Sequence, residues 1–271
     1  MNNLISFWLA PVTALFHPHV YRDAAKSSGG RGVLYVLYLA LIGVVLVMIL
    51  LAGKVAPVTD DLAGWIQKNM PIVIWTPEGI SLENGQTTAT LNHPQYGLLA
   101  TLDLTKTAVT EADMGSGFFY ATATHVFIKR GPGQIESRDI TRAGIQAGQQ
   151  LPPRIRITGE IAGKLYQNIK SSMSVVIPIA LFIIFFFAIL LANLLYSLVG
   201  LLLNRGRKQQ LGYGAVFAMT CFATTAPFIL SWLQFFLPLP AMPWPLAVSI
   251  LVSLAYLFFA FKLTDAAAEV K

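Results

Sequence analysis

Several groups of residues in this 271-residue chain carry polar or reactive side chains at spacings that invite a chemical reading. His17 and His19 flank Pro18, and paired imidazoles are common metal ligands. In a helix, however, positions i and i+2 diverge. Pro18 is expected to prevent regular structure there, and no Cys, Asp or Glu cluster follows to complete a site. A turn with two solvated imidazoles is the plain reading. Asp103 has the chemistry of an acid, yet no local motif supplies a second carboxylate to partner it. His125 falls on an expected strand and faces the opposite side from Thr124 and Val126, the position of a structural or surface histidine. Gly115-Ser116-Gly117 lacks the frame of a nucleophile elbow. Neither it nor Gly131-Pro132-Gly133 has the Gly-Lys-Ser/Thr ending of a phosphate loop, so both read as turns.

The remaining polar candidates lie inside apolar runs. A buried Asn193 amide must find a partner across a helix bundle. Thr220, Cys221, Thr224 and Thr225 precede Pro227, and their hydroxyls can satisfy backbone groups that a mid-helix proline releases. A kinked helix packed inside the bundle is the plain explanation, and a substrate or lipid pathway along the kink is the sharper one. Asn193, Thr224, Thr225 and Pro227 are therefore candidate packing or pathway residues. No catalytic, cofactor-binding or metal-binding residue is assigned, and no cofactor is expected.

These residues need a membrane fold to position them. The chain is 55% hydrophobic and 12% charged, with a mean hydropathy of +0.61, which is too apolar for an ordinary soluble domain. Its net charge of +6 does not point to nucleic acid once located. Between Lys54 and Lys170 there are 11 Lys/Arg and 10 Asp/Glu, whereas the rest of the chain holds 8 against 3. The excess thus sits in segments assigned to the cytoplasm, as the positive-inside rule requires. The single cysteine, Cys221, cannot form an intrachain disulfide.

The expected fold class is a membrane α-helical protein with four transmembrane helices and a small β-rich (α+β) extracytoplasmic domain between the first two. Residues 1–31 form a cytoplasmic or interfacial segment. Within it Leu4, Trp8, Val12 and Leu15 share a helical face that Pro11 is expected to interrupt, and a short element packed against the bundle is the alternative. Transmembrane helices follow at 32–53, 173–203, 213–237 and 246–262. The extracytoplasmic domain occupies 54–172, a basic loop 204–212, an outer Pro-rich loop 238–245, and a cytoplasmic tail 263–271. Arg22, Lys26 and Arg31 before the first span, and Arg205, Arg207 and Lys208 after the second, are the topology determinants, placing both termini in the cytoplasm.

Inside the 54–172 segment, Thr59-Asp60-Asp61 reads as a helix cap and Pro71 as its stop. Strands are expected at 72–75, 79–82, 87–91, 98–104, 118–130, 134–140 and 154–158, with the clearest hairpin turning at Gly131-Pro132-Gly133. Residues 160–170 read as helix and feed directly into the second span, which carries Pro178 near its outer start.

Taken together, Phe16-His17-Pro18-His19-Val20-Tyr21-Arg22-Asp23, Leu102-Asp103-Leu104-Thr105-Lys106-Thr107 and the Tyr213, Thr225 and Pro227 helix resemble a bacterial membrane family. It is catalogued as domain of unknown function 1189, and some members carry a maltodextrin-utilisation label. A more distant similarity to Yip-type membrane proteins touches helices two to four. The resemblance implies four spans with an extracytoplasmic insert after the first, and it supplies no catalytic residues.

The function expected from these features is a non-enzymatic accessory, scaffold or sensor of the bacterial inner membrane, whose outer domain contacts a partner or envelope component. The alternative is a subunit of a transport or lipid-handling system using the Thr/Pro-rich third helix. The expected partners are the lipid bilayer and a membrane protein or a second copy of the chain, not nucleic acid.

Overall fold

The computed structural model describes residues 9–141, 152–207, 209–236 and 245–269. In chain order its elements are α1 (Ala10–Phe16), α2 (Pro18–Ala25), α3 (Gly29–Leu50), a π-helical turn (Leu51–Val55) and α4 (Ala56–Asn69). Strands β1 (Val73–Thr76), β2 (Gly79–Leu82), β3 (Thr88–His93) and β4 (Gly97–Asp103) follow, then α5 (Glu111–Met114), β5 (Phe119–Ala121), β6 (His125–Gly131), β7 (Gln134–Asp139) and β8 (Ile155–Ile157). Helices α6 (Gly159–Arg205), α7 (Tyr213–Ala223), α8 (Thr225–Phe236) and α9 (Pro245–Glu269) complete it. Four helical stretches are long and apolar enough to cross a bilayer, namely Gly29–Asn69, Gly159–Arg205, Tyr213–Leu233 and Ala247–Asp265. The chain divides into two compact units, Met1–Ile49 with Val176–Lys271, and Leu50–Val175.

In the first unit α7 is the central element, buried without interruption from Ala215 to Ala223. A helix apolar all round belongs inside a bundle. Its Val216, Phe217, Met219 and Phe222 share a core with Tyr35, Val36 and Leu39 of α3 and Leu257 and Phe261 of α9. Tyr35 stacks on Phe222 with ring centroids 4.2 Å apart. Gly200 of α6 sits so close to α7 that a Cβ there would lie 2.8 Å from Val216 Cγ1, so only glycine permits the approach. The outer side of α6 leaves Ile183, Phe187, Leu191, Leu195, Leu198 and Leu202 exposed.

The N-terminal helices pack against the bundle by one side, while of the expected interfacial face Val12 is exposed and Leu4 and Trp8 lie outside the described residues. Ala10 and Ala14 of α1, with Val20, Tyr21 and Ala24 of α2, belong to the bundle core. The alternative, a short element packed against the bundle, is what the structure shows. Pro11 lies in the first turn of α1 and Pro18 opens α2 with His17 as its cap residue. Both prolines start helices rather than interrupting them, because a first-turn residue has no amide bond to lose.

The second unit corrects one helix start. Helix α3 does not stop at Gly53 but continues through the π-helical turn into α4. Thr59 is consequently no cap, and its hydroxyl donates back to the Val55 and Ala56 carbonyls at 3.2 and 3.1 Å. The stop is as expected, with Met70 extended before Pro71.

Two sheets follow, ordered β2-β1-β8 and β3-β4-β5-β6-β7. All pairs are antiparallel except β4 with β5. The expected long strand 118–130 is two strands. Buried Thr122 makes the break, accepting the His125 amide on its hydroxyl at 3.1 Å and donating its own amide to the His125 carbonyl at 2.8 Å. Val73, Leu82 and Leu102 form one core with Ala121 and Ile157, and Met114, Tyr120 and Phe127 form another beside α5.

Because Val73 pairs with Ile157, the segments entering and leaving the sheets lie side by side. Helix α4 and the start of α6 are clasped there. A Cβ on Gly159 would fall 2.1 Å from the Gln67 carbonyl oxygen, and one on Gly163 would fall 2.9 Å from the Gln67 side chain. At the other end of this helix pair, Lys170 and the Tyr166 hydroxyl both bond to Asp60, at 2.6 and 2.7 Å.

Candidate functional site

The site is built around a missing amide. Pro227 cannot donate to the Ala223 carbonyl, and the helix is irregular at Thr224, whose φ and ψ are −75° and −3°. The expected kink is a one-residue irregularity between α7 and α8, spanned by backbone bonds from the Thr224 amide to the Thr220 carbonyl at 3.0 Å and from the Phe228 amide to the Thr224 carbonyl at 3.2 Å. The Thr224 hydroxyl lies 3.0 Å from the Cys221 carbonyl and 3.1 Å from Asn193 Oδ1, so its single proton is shared between its own helix and α6. Asn193 is fully buried and donates its amide to the Ile189 carbonyl at 2.9 Å. Thr225 turns the other way and meets the Tyr35 hydroxyl at 2.7 Å.

Three of the four candidate residues, Asn193, Thr224 and Pro227, line one cavity of about 160 Å³ in the bundle. Tyr196, Ser231, Ser249 and Ser253 complete its polar wall, with Leu39, Ile189 and Phe228 among its apolar lining. Ser231 donates to the Pro227 carbonyl and Ser253 to the Ser249 carbonyl, each at 2.8 Å. Their protons are thus spent within their own helices, leaving these oxygens with acceptor capacity. The cavity has the volume and the hydrogen-bonding groups to accept a small polar guest or ordered water. Ser231, Ser249 and Ser253 were missed in the sequence. The readable signals were a serine one turn beyond Pro227 and two serines four apart in an apolar run.

The topology determinants divide by exposure. Arg22, Lys26 and Arg205 are exposed, Arg31 is half-buried, and Lys208 lies outside the described residues. Arg207, expected in an open loop, has a side chain only 7% exposed. It bonds to Asp265 at 2.7 Å and Thr264 at 2.8 Å and stacks over the Phe261 ring at 5.0 Å. Asn204 closes the same loop, exchanging hydrogen bonds of 2.8 and 3.0 Å with the Leu211 backbone.

In the second unit the polar residues are engaged in structure. Asp103 accepts from the Thr105 hydroxyl at 2.6 Å, the Thr105 amide at 3.1 Å and the Tyr120 hydroxyl at 3.1 Å. The Thr105 bonds above all hold its carboxyl below the usual range. Asp113, bonded to Lys106 and to the Thr110 backbone and hydroxyl, is depressed for the same reason, with the Lys106 bond foremost. His125 pairs instead with the Thr124 hydroxyl at 2.9 Å. His17 and His19 have ring centroids 5.3 Å apart. Among the described residues no three His, Cys, Asp or Glu side chains converge as metal ligands.

His93 carries a structural role with no sequence signal. It is buried between Trp65 and Tyr96, with ring centroids 5.0 and 4.7 Å away. Its Nδ1 accepts the Gln95 and Tyr96 amides at 3.1 and 3.3 Å, which leaves the ring proton on Nε2, 3.5 Å from Asp61 of α4.

Comparison with curated proteins and with solved structures yields no match. A family model does match, and it covers nearly all of both units. It bears out the family resemblance expected from the sequence, but not the maltodextrin label or the Yip-type relationship. With the model matching residues 11–261, the chain belongs to the family described as Protein of unknown function (DUF1189).

Proposed function

We propose that this protein is a non-enzymatic accessory, scaffold or sensor of the bacterial cytoplasmic membrane. In this reading both termini are cytoplasmic, and the β-rich unit faces the other side and contacts a partner or envelope component. One observation carries it: the polar groups lining the mostly apolar cavity at the helix kink are hydroxyls and an amide, which bind by hydrogen bonding at neutral pH rather than relay protons or ions. The depressed carboxyls of Asp103 and Asp113 support it, since groups held ionised by structural bonds are poor general acids. The exposed apolar side of α6 offers a surface for a membrane-protein partner or a second copy. Purified protein reconstituted alone into liposomes is expected to move neither ions nor lipids, and such movement would overturn the accessory role. Recovery of a stoichiometric partner in mild detergent is the expected positive result.

A second reading, a subunit of a transport or lipid-handling system, is favoured by the position of that cavity beside Pro227, where the helix is already kinked. Under it, Asn193→Ala or Thr224→Val abolishes transport by the assembled system. Under the accessory reading the same changes alter stability or assembly only.

A further inference from the structure

A second and larger concavity lies apart from the helix kink. It is a groove of about 880 Å³ between α1–α2 and α9, lined by Ala14 and His17 on one side and by Val252, Ala255, Phe259 and Lys262 on the other. The volume falls within the roughly 300–1,000 Å³ of ligand-binding clefts. Val252, Ala255, Phe259 and Lys262 recur at helical spacing, so they form one stripe along α9. The ten helical steps from Val252 to Lys262 span about 15 Å, about half of the roughly 30 Å hydrocarbon thickness. The apolar stripe is thus as long as one leaflet is deep, and it ends in a cation. Tyr256 closes the floor by donating its hydroxyl to the Leu15 carbonyl at 3.4 Å.

The charge at the mouth is positive. Asp265 also lines the groove, but Arg207 neutralises it through bonds of 2.7 and 2.9 Å. Lys262 lies over the Phe258 ring at 5.0 Å, and Arg22 reaches the groove-lining Leu263 carbonyl at 3.4 Å. Among the described residues neither cation lies within ion-pair distance of a carboxylate. Basic pockets at the end of membrane helices bind anionic headgroups.

We infer that this groove holds one anionic phospholipid, with an acyl chain along the α9 stripe and the headgroup phosphate at Lys262 and Arg22. The inference rests on the four apolar helices crossing a bilayer, and it holds whichever role the protein plays there.

The test uses the full-length protein, purified in mild detergent and stripped of lipid. It is exposed to equal amounts of phosphatidylglycerol and phosphatidylcholine with identical acyl chains, and lipid retention is read by native mass spectrometry. One phosphatidylglycerol per chain is expected in preference to phosphatidylcholine. Lys262→Gln and Arg22→Gln should each lower phosphatidylglycerol retention about five-fold, leaving phosphatidylcholine unchanged. Ala255→Trp, which fills the groove, should remove both lipids, and the two charge variants decide the matter if that protein does not fold. Equal retention of the two lipids overturns the inference, as does a preference that survives both charge changes. Competition by glycerol phosphate as effective as by phosphatidylglycerol would mark a soluble-anion site instead. A lipid-free dimer would mark the groove as a contact between copies.

Discussion

Thr224 and Asn193 meet across the bundle through a hydroxyl-to-amide hydrogen bond of 3.1 Å, where the helix carrying Thr224 is already kinked. The bond ties the kink to α6, while each partner also bonds a carbonyl of its own helix, Cys221 for Thr224 and Ile189 for Asn193. Polar contacts of this kind inside membranes contribute about 0.6 kcal/mol on average, rising to about 1.7 kcal/mol. A double-mutant cycle of Asn193→Ala and Thr224→Val, followed by unfolding in detergent, should return a coupling energy in that range. Additive effects would show that the two side chains do not act together.

The α4–α6 clasp separates backbone from side-chain contact. Gly159→Ala drives a Cβ into the Gln67 carbonyl and should destabilise the protein by about 1–3 kcal/mol or more. Gly163→Ala meets only the Gln67 side chain, so Gln67→Ala should rescue Gly163→Ala and leave Gly159→Ala defective. Thermal unfolding of the four variants checks both statements.

At His93, stacking and hydrogen bonding can be pulled apart. His93→Phe keeps an aromatic ring between Trp65 and Tyr96 but leaves the Gln95 and Tyr96 amides without their acceptor. A loss of about 1–3 kcal/mol is expected, measured by denaturant unfolding with tryptophan fluorescence. A neutral substitution would show that water replaces the imidazole nitrogen.

Acid should weaken the second unit first through its bonded carboxylates. Asp103, Glu111, Asp113 and Glu136 all have folded-state values below their ordinary ones, held down chiefly by Thr105, the Gly133 amide, Lys106 and Arg138 respectively. A depressed carboxyl contributes stability that is present above its unfolded value, about 3.9 for Asp and 4.3 for Glu, and that is lost as pH falls through the folded value. Stability should therefore be flat above about pH 5 and decline below about pH 4. Asp113→Asn, which removes both the Lys106 pairing and the charge in the Thr110 capping box, should shallow that decline in melting experiments across pH.

Much of the architecture was legible because it rests on patterns that burial imposes locally. Apolar runs close to or longer than the hydrocarbon core is thick pointed to the four long helices. The turn residues Asn84-Gly85 and Gly131-Pro132-Gly133 bound strands whose ends beside those turns the structure places within one or two residues. The polar candidates Asn193, Thr224 and Pro227 converge on one cavity, where the buried amide finds its partner in the Thr224 hydroxyl beside the kink. What escaped was decided by distant contacts. Thr122 breaks a strand that propensity alone would continue. The parallel pairing of β4 with β5 has no local signature, and neither does the inward turn of Arg207, which depends on Asp265 across the sequence. Thr59-Asp60-Asp61 misled because a threonine hydroxyl that can cap a helix can also donate back to its carbonyls from within.

The pairing of Val73 with Ile157 also sets how the second unit responds to force. These residues sit at the same end of the β1–β8 ladder, where the chain enters and leaves. A load pulling α4 away from α6 would open that ladder like a zipper, one rung at a time, instead of shearing all rungs together. The Gly159–Gln67 contact and the Asp60–Lys170 pair stand ahead of the first rung and bear the load before it. Resistance to tension is therefore expected to reside in one glycine contact and one ion pair, with the sheets behind them yielding rung by rung.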